Sequence, residues 1–508
     1  MPTLTQPANF RDIDAILWGW QWDVNQPNGH TRLTFSFPTG PQFYPYQAGL
    51  GGFETFNAAQ QGAARKALAN YDAVSNLDLV FTTDHANANL RLAEVTTINY
   101  LDGKGTHFPG ISQNPNRTSA EGNPPDPSEV PGYAQGDCWF NHTSYNTPTR
   151  GSFAYGAGIL HEIGHALGLK HGHITQGVKD ANGNVLFTNP ALAPSHDSQE
   201  FSIMTYRTFI GSNPNTNFSD EYPSTLMQDD ILAVQWMYGP NYNHNSTNTT
   251  YVWNNATGEM SINGIRQGGT FHNKVLMTIW DGGGTDAYNF ANFTTKVTVN
   301  LSPGGWSTPD TAMRADLDSS AAFHFARGCI ANALVFANDF HGYIENAYGG
   351  SNNDSITGNI RNNLLIGNSG NDVLNGVSGD DRLFGSNGND RLTGGTGRDQ
   401  LTGGAGIDAF IFNAPADSGT NSNTRDQIFD FNHGEKIDIR AIDANINLAG
   451  NQSFSFVVNF AGRAGQLQWD RISANSFVVS GDVNGDGVAD FSIQIKGVSS
   501  LLGSDFNF

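Results

Sequence analysis

Residues 349–411 read GGSNNDSIT GNIRNNLLI GNSGNDVLN GVSGDDRLF GSNGNDRLT GGTGRDQLT GGAGIDAFI, seven units of nine residues that all begin with glycine. Glycine permits backbone turns with positive φ, and the sixth position, Asp in all units but one, points a carboxylate at the turn. The eighth position is Ile, Leu or Phe throughout and points inward from a short strand. A register fixed at three positions argues against a flexible linker and predicts a stacked, parallel β-roll.

The roll needs a source of stability besides its hydrophobic core, because seven inward-facing side chains make only a thin core. Calcium can supply that stability, since carboxylates and turn carbonyls are the hard oxygen ligands that this ion prefers. The sixth-position aspartates predicted to bind calcium are Asp354, Asp372, Asp381, Asp390, Asp399 and Asp408.

The composition of the whole chain excludes several classes of protein. The 508 residues carry a formal net charge of −21, so there is no overall attraction for nucleic acid or anionic membranes. No apolar run approaches the length of a membrane-spanning helix. The two cysteines, Cys138 and Cys329, cannot form a disulfide framework, and whether they pair is left open. Residues 1–14 lack the basic and apolar stretches of an N-terminal secretory signal.

Two domains are predicted from the change of pattern along the chain. Residues 1–240 have mixed α and β character, whereas residues 241–508 lose helical periodicity and read as an all-β roll and sandwich domain. Residues 240–280 read as a polar bridge between them. The predicted strands of the first domain are 31–37, 77–82, 88–93 and 136–141, and its predicted helices are 53–74, 155–169 and 224–238.

A metal site is predicted from residues 161–171, which read HEIGHALGLKH and fit the pattern HExxHxxGxxH. On a helix, His161 and His165 are four residues apart and share one face, so both imidazoles can reach one metal. Gly168 lets the chain turn sharply, so that His171 can return as a third ligand. Three neutral nitrogens that leave a fourth position open are typical of a catalytic zinc site.

A methionine-containing turn follows at residues 202–206, SIMTY, as in the metzincins. The combination of motifs resembles the serralysin family of secreted bacterial zinc metalloproteases. The motifs that carry this resemblance are HEIGHALGLKH, SIMTY, DDILAVQWMYG at 229–239, WDGGGTDAYNF at 280–290, YIENAYGG at 343–350 and the glycine nonapeptides. The resemblance implies an α+β metzincin-like catalytic domain at 1–240 followed by an RTX-type calcium-binding β-roll domain at 241–508.

The resemblance also implies the role of each catalytic residue. The implied zinc ligands are His161, His165 and His171. Glu162 would be the general base that activates the zinc-bound water. Tyr206 would be a fifth zinc ligand that swings away to stabilise the tetrahedral oxyanion, and Met204 would form a structural floor beneath the zinc. The predicted strand 136–141 would line the cleft and pair with an extended substrate, which predicts broad sequence specificity.

Further calcium ligands follow from the same resemblance. The implied first calcium segment and its partner comprise Asp281, Gly283, Gly284, Asp286, Tyr343 through its carbonyl, and Glu345. In the roll, aspartates of units n and n+2 would share an ion, so Asn363 weakens the site that it shares with Asp381. Asp426 and Asp430 resemble another acidic cluster of the family. Residues 482–490, DVNGDGVAD, resemble the start of an EF-hand loop but lack its final Glu, so a calcium site and a polar turn both remain open.

The partners and location are expectations from this resemblance. The C-terminal residues 504–508, SDFNF, resemble a type I secretion signal, so the chain is expected to leave the cell through type I secretion machinery. Protein and peptide substrates and a proteinaceous inhibitor are the other expected partners, and a monomer is expected. Histidines outside the motif, such as His173, are expected on the surface.

Parts of the sequence are also compatible with two other functions. One is a calcium-binding RTX surface or adhesion module with a vestigial protease domain, against which the intact metal motif argues. The other is a different roll-bearing enzyme, and the usual lipase pattern GxSxG is absent.

Overall fold

The computed structural model describes residues 2–5, 7–8, 10–23, 29–98, 100–101, 107–108, 120–125, 134–141, 144–180, 183–214, 219–318 and 323–508. It contains two compact units. The first comprises Met1–Ser246, Gly268–Gly282 and Ala312–Gly342, and the second comprises Thr247–Gln267, Gly283–Thr311 and Tyr343–Phe508. No described helix has the length and apolar character needed to cross a membrane.

The first unit is built on a mixed five-stranded sheet, counted over the described residues. Its strands lie in the order Ala120–Gly122, Asp137–Phe140, Leu90–Glu94, Thr31–Ser36 and Leu77–Phe81. Only the first pair is antiparallel. Other short strands of this unit are Pro2–Leu4 with Trp20–Trp22, Leu50–Gly51 with Thr97–Ile98, Tyr100–Leu101 with His107–Phe108, Gln176–Lys179 with Val185–Asn189, and Met277–Ile279 with Ile330–Asn332.

The helices of the first unit are α1 (Arg11–Asp14), α2 (Ala58–Val74), α3 (His161–Leu167) and α4 (Gln228–Tyr238). Asn57 caps α2 by accepting a hydrogen bond from the backbone of Gln60. The predicted helix 155–169 consists of a wide helical segment, Ala154–Leu160, that runs directly into α3. Gly168 ends α3 with a φ of 111°, a left-handed conformation that favours glycine. The short 3₁₀ turns of the two units are Pro41–Phe43, Gln47–Gly49, Phe271–Asn273, Thr311–Met313, Pro415–Asp417 and Gly503–Asp505.

The second unit is a β-roll formed by two mainly parallel sheets. The larger sheet has the strand order Ile265–Arg266, Met260–Ile262, Thr250–Trp253, Ala287–Asn289, Asn346–Tyr348, Leu364–Ser369, Arg382–Asn387, Gln400–Ala405, Asp426–Ile428, Phe491–Lys496, Ser476–Asp482, Gln466–Ser473 and Ser455–Phe456. The smaller has the order Thr298–Asn300, Ser355–Thr357, Val373–Ser378, Arg391–Thr396, Ala409–Ile411, Lys436–Asp438 and Phe506–Asn507. Trp306–Ser307 is one further short strand.

Successive units of the repeat alternate between the two sheets, so each strand pairs with the strand two units further on. In one sheet Leu365 pairs with Leu383, which pairs in turn with Leu401, and in the other sheet Leu374 pairs with Leu392. The eighth-position side chains are completely buried, as their pattern predicts. The roll core is therefore two facing columns of single apolar side chains.

The expected polar bridge at 240–280 is wrong. Strands Thr250–Trp253, Met260–Ile262 and Ile265–Arg266 lie there in the second unit, and Met277–Ile279 lies in the first. Tyr251 and Trp253 alternate inward and are buried. These strands are only two to four residues long, and the polar residues between them hide the alternation.

Chain beyond residue 246 completes the first unit, so a chain cut after Ser246 is expected to be much less stable. Ser224 donates a backbone hydrogen bond to Leu276 at 2.8 Å, and Arg327 donates to the buried Glu200 through its backbone at 2.8 Å and its side chain at 3.1 Å. The cut removes both partners and leaves Glu200 buried without its cation. Thermal unfolding measures this loss. If the cut chain unfolded cooperatively at the same temperature as the first unit does in the full chain, this expectation would be wrong.

Candidate metal centre

Three histidines converge at the end of α3. Ligand atoms of His161, His165 and His171 all lie within 4.8 Å of one another. The Nδ1 atom of His161 lies 2.7 Å from the Ile203 carbonyl oxygen, and Nδ1 of His165 lies 2.7 Å from that of Leu169. Because a carbonyl only accepts, both Nδ1 atoms carry the proton. Their Nε2 atoms therefore keep a lone pair for a metal, and the two carbonyls fix the orientation of the rings.

The surroundings of these histidines fit a bound metal cation. The Nε2 atom of His161 is buried and has no hydrogen-bond partner among the described residues. Burial lowers the pKa of His161 to about 4 and that of His165 to about 3, so both rings are neutral at pH 7. Neutral imidazole is the form that binds transition metals. The set of three nitrogen donors suits a borderline ion such as zinc.

Glu162 lies beside the first histidine with its carboxyl group buried. Burial, and then the nearby Glu121, raise the pKa of Glu162 to about 8, while a hydrogen bond from the Gly122 backbone opposes the rise. A metal cation bound by the histidines would lower this pKa and favour the carboxylate. The residue is thus a buried acid–base group that directly follows His161 in the chain.

The strand that flanks this site is Ala120–Gly122, which corrects the sequence interpretation. Strand Asp137–Phe140, predicted to pair with substrate, already pairs with Ala120–Gly122 on one side and Leu90–Glu94 on the other. Among the described residues, no strand occupies the other edge of Ala120–Gly122. A Cβ on Gly122 would lie 2.0 Å from the Glu162 carbonyl oxygen, so only glycine lets this edge approach α3 so closely.

The methionine turn is fastened to α4 by Asp230, a residue to which sequence reasoning gave no role. The buried Asp230 carboxylate accepts hydrogen bonds from the Ser202 hydroxyl at 2.6 Å and from the Ile203 backbone at 2.8 Å. Met204 is fully buried, and its sulfur would lie 2.8 Å from a Cβ on Gly164 of α3. The turn therefore supports the helix from below and presents the Ile203 carbonyl to His161.

Tyr206 follows this turn and keeps 46% of its surface exposed. Its ring centroid lies 4.5 Å from that of His171 and 5.8 Å from that of His161. The backbone on either side is fixed, because Asp197 accepts a hydrogen bond from the Thr205 hydroxyl and pairs with Arg207 at 2.8 Å. The phenol thus lies beside His161 and His171 and remains partly exposed.

Lys170 holds the chain around the third histidine. Its ammonium group is completely buried and donates hydrogen bonds to the carbonyls of Ala15, His171 at 3.2 Å, Ile174 at 2.7 Å and Pro190 at 3.1 Å. Burial lowers the pKa of Lys170 to about 7. One side chain therefore ties the residues after the motif to two distant segments of the chain.

The variant Lys170→Met is expected to bind its metal about 10- to 100-fold more weakly, as loss of an outer-shell partner of a metal ligand typically does. The four carbonyls would lose their donor, and His171 would be held less firmly. Competition with a chelator measures the affinity, and Lys66→Met, at an exposed position of α2, is the matched control. Equal affinities of the two variants would contradict the role of Lys170.

The predicted calcium ligands of the roll form two ladders of carboxylates. The backbone N–H of Asp354 donates to Asp372 Oδ1 at 2.7 Å, and each further step along a ladder repeats this bond at 2.7–2.8 Å. One ladder contains Asp354, Asp372, Asp390 and Asp408, and the other contains Asn363, Asp381, Asp399 and Asp426. Each carboxylate uses one oxygen to hold the preceding turn.

The second carboxylate oxygen of most ladder aspartates is placed to bind a cation. The Oδ2 atoms of Asp372, Asp381, Asp390, Asp399, Asp408 and Asp426 are buried and make no hydrogen bond within the described residues. Burial raises the pKa of Asp372 to about 6, of Asp390 and Asp399 to about 7, of Asp381 to about 8 and of Asp426 to about 9. Rows of buried acidic oxygens fit hard divalent cations.

The second ladder extends beyond the repeat at its beginning. The backbone of Asp286 donates to the Glu345 carboxylate at 2.9 Å, and Ala287 pairs with Asn346, so these acids occupy two earlier steps. Of the other predicted ligands of this first calcium segment, three lie in the second unit: Gly283, Gly284 and Tyr343. Asp281 belongs to the first unit. The backbone carbonyl of Glu345 accepts a hydrogen bond from the Asn363 side-chain amide at 2.8 Å. At this step of the ladder an amide therefore stands where the other steps have a carboxylate.

The first ladder also extends beyond the repeat, at its end, to Glu435, which sequence reasoning missed. Ala409 pairs with Lys436, which places Glu435 opposite Asp408. Burial raises the pKa of Glu435 to about 7, with Asp408 and Asp430 contributing. Residues 408, 426 and 435 keep the nine-residue phase of the repeat, a signal that continues after the glycines have ended.

The loop at 482–490 is self-contained. Asp482 accepts backbone hydrogen bonds from Gly485 at 2.6 Å and Gly487 at 2.9 Å, and Asp490 accepts from Val483 at 2.7 Å and from the Asn484 side chain at 2.8 Å. Both carboxylates therefore complete their own turn, which favours the polar-turn interpretation. Cys138 and Cys329 are buried and form no disulfide.

Comparison with known proteins gives similar sequences over nearly the full chain. Residues 320–508 match the family model described as Peptidase M10 serralysin C terminal. The Metalloprotease AprA of Pseudomonas entomophila (strain L48) is 31% identical over 98% of this chain and 89% of its own length. Metallopeptidase AprA of Pseudomonas marginalis is 30% identical, with 98% and 88% covered, and Serralysin C of Dickeya chrysanthemi is 32% identical, with 95% and 86% covered.

Proposed function

Because the chain belongs to the serralysin family, we propose that it is a secreted zinc endopeptidase whose roll is folded by calcium. We assign catalysis to the first unit and calcium binding to the second. The convergence of His161, His165 and His171 within 4.8 Å, with Nδ1 of the first two bonded to carbonyls, supports the zinc site most strongly. The buried Glu162 supplies the acid–base group that hydrolysis needs.

The residues of the chain divide the reaction among them. When bound, the zinc lowers the pKa of a water to about 7 and polarises the scissile carbonyl. Glu162 takes the proton from that water and returns it to the leaving amine. Tyr206 turns its hydroxyl toward the oxygen that becomes negatively charged and donates a hydrogen bond to it. These roles need a rigid base, which the Met204 turn and Asp230 provide beneath α3.

Substrate is expected to bind as an extended strand along Ala120–Gly122. This strand lies at the end of the five-stranded sheet and flanks Glu162, whose carbonyl oxygen would be 2.0 Å from a Cβ on Gly122. Backbone hydrogen bonds to a strand edge are indifferent to side chains, so the enzyme would accept many sequences. Protein and peptide substrates are therefore the partners that this edge fits best.

Export is proposed to precede folding of the roll. Asp505 and Phe506 of the C-terminal SDFNF are buried, and Phe506 pairs with Ile437 as a strand of the smaller sheet. A secretion machinery could read this segment only in an unfolded chain. At the low calcium concentration inside the cell, repulsion between the ladder carboxylates would keep the roll unfolded. Calcium outside the cell would bind these carboxylates and allow the roll to fold.

Peptide hydrolysis in the presence of chelators tests the proposed function. The full chain with calcium is expected to cleave casein, to lose the activity with 1,10-phenanthroline and to regain it with zinc. The roll provides a separate measurement, since calcium-dependent folding is expected with or without zinc. Calcium-dependent folding without any hydrolysis would instead favour a binding module with a vestigial protease unit.

A further inference from the structure

His173 lies against the metal centre rather than on the open surface, contrary to expectation. It is half-buried, and its ring centroid is 4.8 Å from that of Tyr206 and 5.4 Å from that of His171. The rings of His171, His173 and Tyr206 therefore form a compact triangle, since Tyr206 is 4.5 Å from His171. His173 is outside the HExxHxxGxxH pattern but belongs to its surroundings.

The phenol of Tyr206 is surrounded by imidazoles on its protein side. Among the described residues, its ring contacts are with His161, His171 and His173. The first two are proposed to hold the zinc, which leaves His173 as the imidazole available to the tyrosine. Arg207 and Thr205 are fixed by Asp197, so rotation of the side chain is the freedom that Tyr206 retains.

One nitrogen of His173 lacks a partner. Its Nδ1 atom is buried and makes no hydrogen bond to any described residue. A buried polar atom without a partner is costly, and such an atom in a native structure calls for a functional explanation. A phenol hydroxyl can both donate and accept, so rotation of Tyr206 toward His173 would provide the partner.

We propose that His173 is a positioning residue for Tyr206. Its ring packs against the phenol in the resting state, and its Nδ1–H donates a hydrogen bond to the phenol oxygen once Tyr206 turns away from the metal. This holds the hydroxyl where it can donate to the substrate oxygen. The inference rests on the proposed function, because it acts through the role assigned to Tyr206.

A double-mutant cycle tests the coupling of the two residues. His173→Phe keeps a ring and removes the nitrogens, and it is expected to lower kcat about tenfold, the effect of one hydrogen bond, with little change in KM. In a Tyr206→Phe background the same change is expected to alter kcat less than twofold. His341→Phe, at an exposed position, is the matched control with unchanged kcat. An equal loss in both backgrounds would overturn the proposal.

A spectroscopic measurement separates this proposal from the proposed function. Copper(II) replaces zinc in the full chain, and a tyrosine bound to copper gives a charge-transfer absorption. We expect this band in the wild type, a changed intensity or wavelength in His173→Ala, and no band in Tyr206→Phe. The band reports on Tyr206 even if the protein hydrolyses no peptide. A band identical in wild type and His173→Ala, or absent from the wild type, would overturn the positioning role.

Discussion

The variant Glu162→Gln is expected to lose about 10²- to 10⁴-fold in kcat, the usual contribution of a general acid–base residue, while it retains its zinc. Gln has nearly the same shape and can still accept the hydrogen bond from Gly122, but it cannot take a proton from water. KM is expected to change little, because the substrate strand would bind to Ala120–Gly122 and not to Glu162. Steady-state kinetics and metal analysis of the same sample measure the two properties together.

Glu435→Gln is the matched control for this variant. Glu435 is also a buried glutamate with a raised pKa, but it lies in the roll. At saturating calcium its substitution is expected to leave kcat unchanged. Two results would contradict the role of Glu162: retention of more than a tenth of wild-type kcat by Glu162→Gln, or an equal loss in Glu435→Gln.

Removal of calcium is expected to destabilise the roll strongly at pH 8.5 and much less at pH 5. The ladder carboxylates have pKa values raised to about 6–9 by burial, above the value of about 4 in an unfolded chain. Between pH about 4 and about 9 the folded roll thus binds more protons than the unfolded chain. The free energy of unfolding of the calcium-free roll therefore falls as pH rises through this range. Calcium replaces these protons, so its affinity rises over the same window.

The midpoint temperature Tm of the second unit's thermal unfolding, with and without calcium, measures this destabilisation. One site held at 100 times its Kd contributes about 2.7 kcal/mol, so several sites are expected to raise Tm at pH 8.5 by roughly 10–30 °C. Asp381→Asn is expected to reduce this rise, whereas Asp380→Asn, the same change at the neighbouring exposed residue, leaves it intact. A calcium-independent Tm at pH 8.5, or equal effects of the two variants, would contradict the account.

The sequence was most informative where spacing alone determines geometry. The i, i+4 histidines and Gly168 predicted that three imidazoles would meet, and the nine-residue period predicted that the eighth-position apolar side chains would point inward. Both features depend on neighbours along the chain, so local periodicity was sufficient.

Features that depend on distant partners were missed. Strand 136–141 was recognised, but its neighbours in the sheet could not be read from its own pattern, so the open edge was assigned to the wrong strand. Asp230 and Lys170 act through hydrogen bonds to remote backbone segments. His173 looked like a surface histidine because only the fold brings it to Tyr206. Glu435 was missed because the glycines that mark the period end before it.

X-ray absorption at the zinc edge of the active protein tests the central claim most directly. Three imidazole nitrogens at about 2.0–2.1 Å are expected, together with one or two oxygen donors, and the nitrogen count is expected to fall in His165→Ala. A sulfur donor, a shell of six oxygens, or full hydrolytic activity in protein that contains no metal would contradict a zinc site built from His161, His165 and His171.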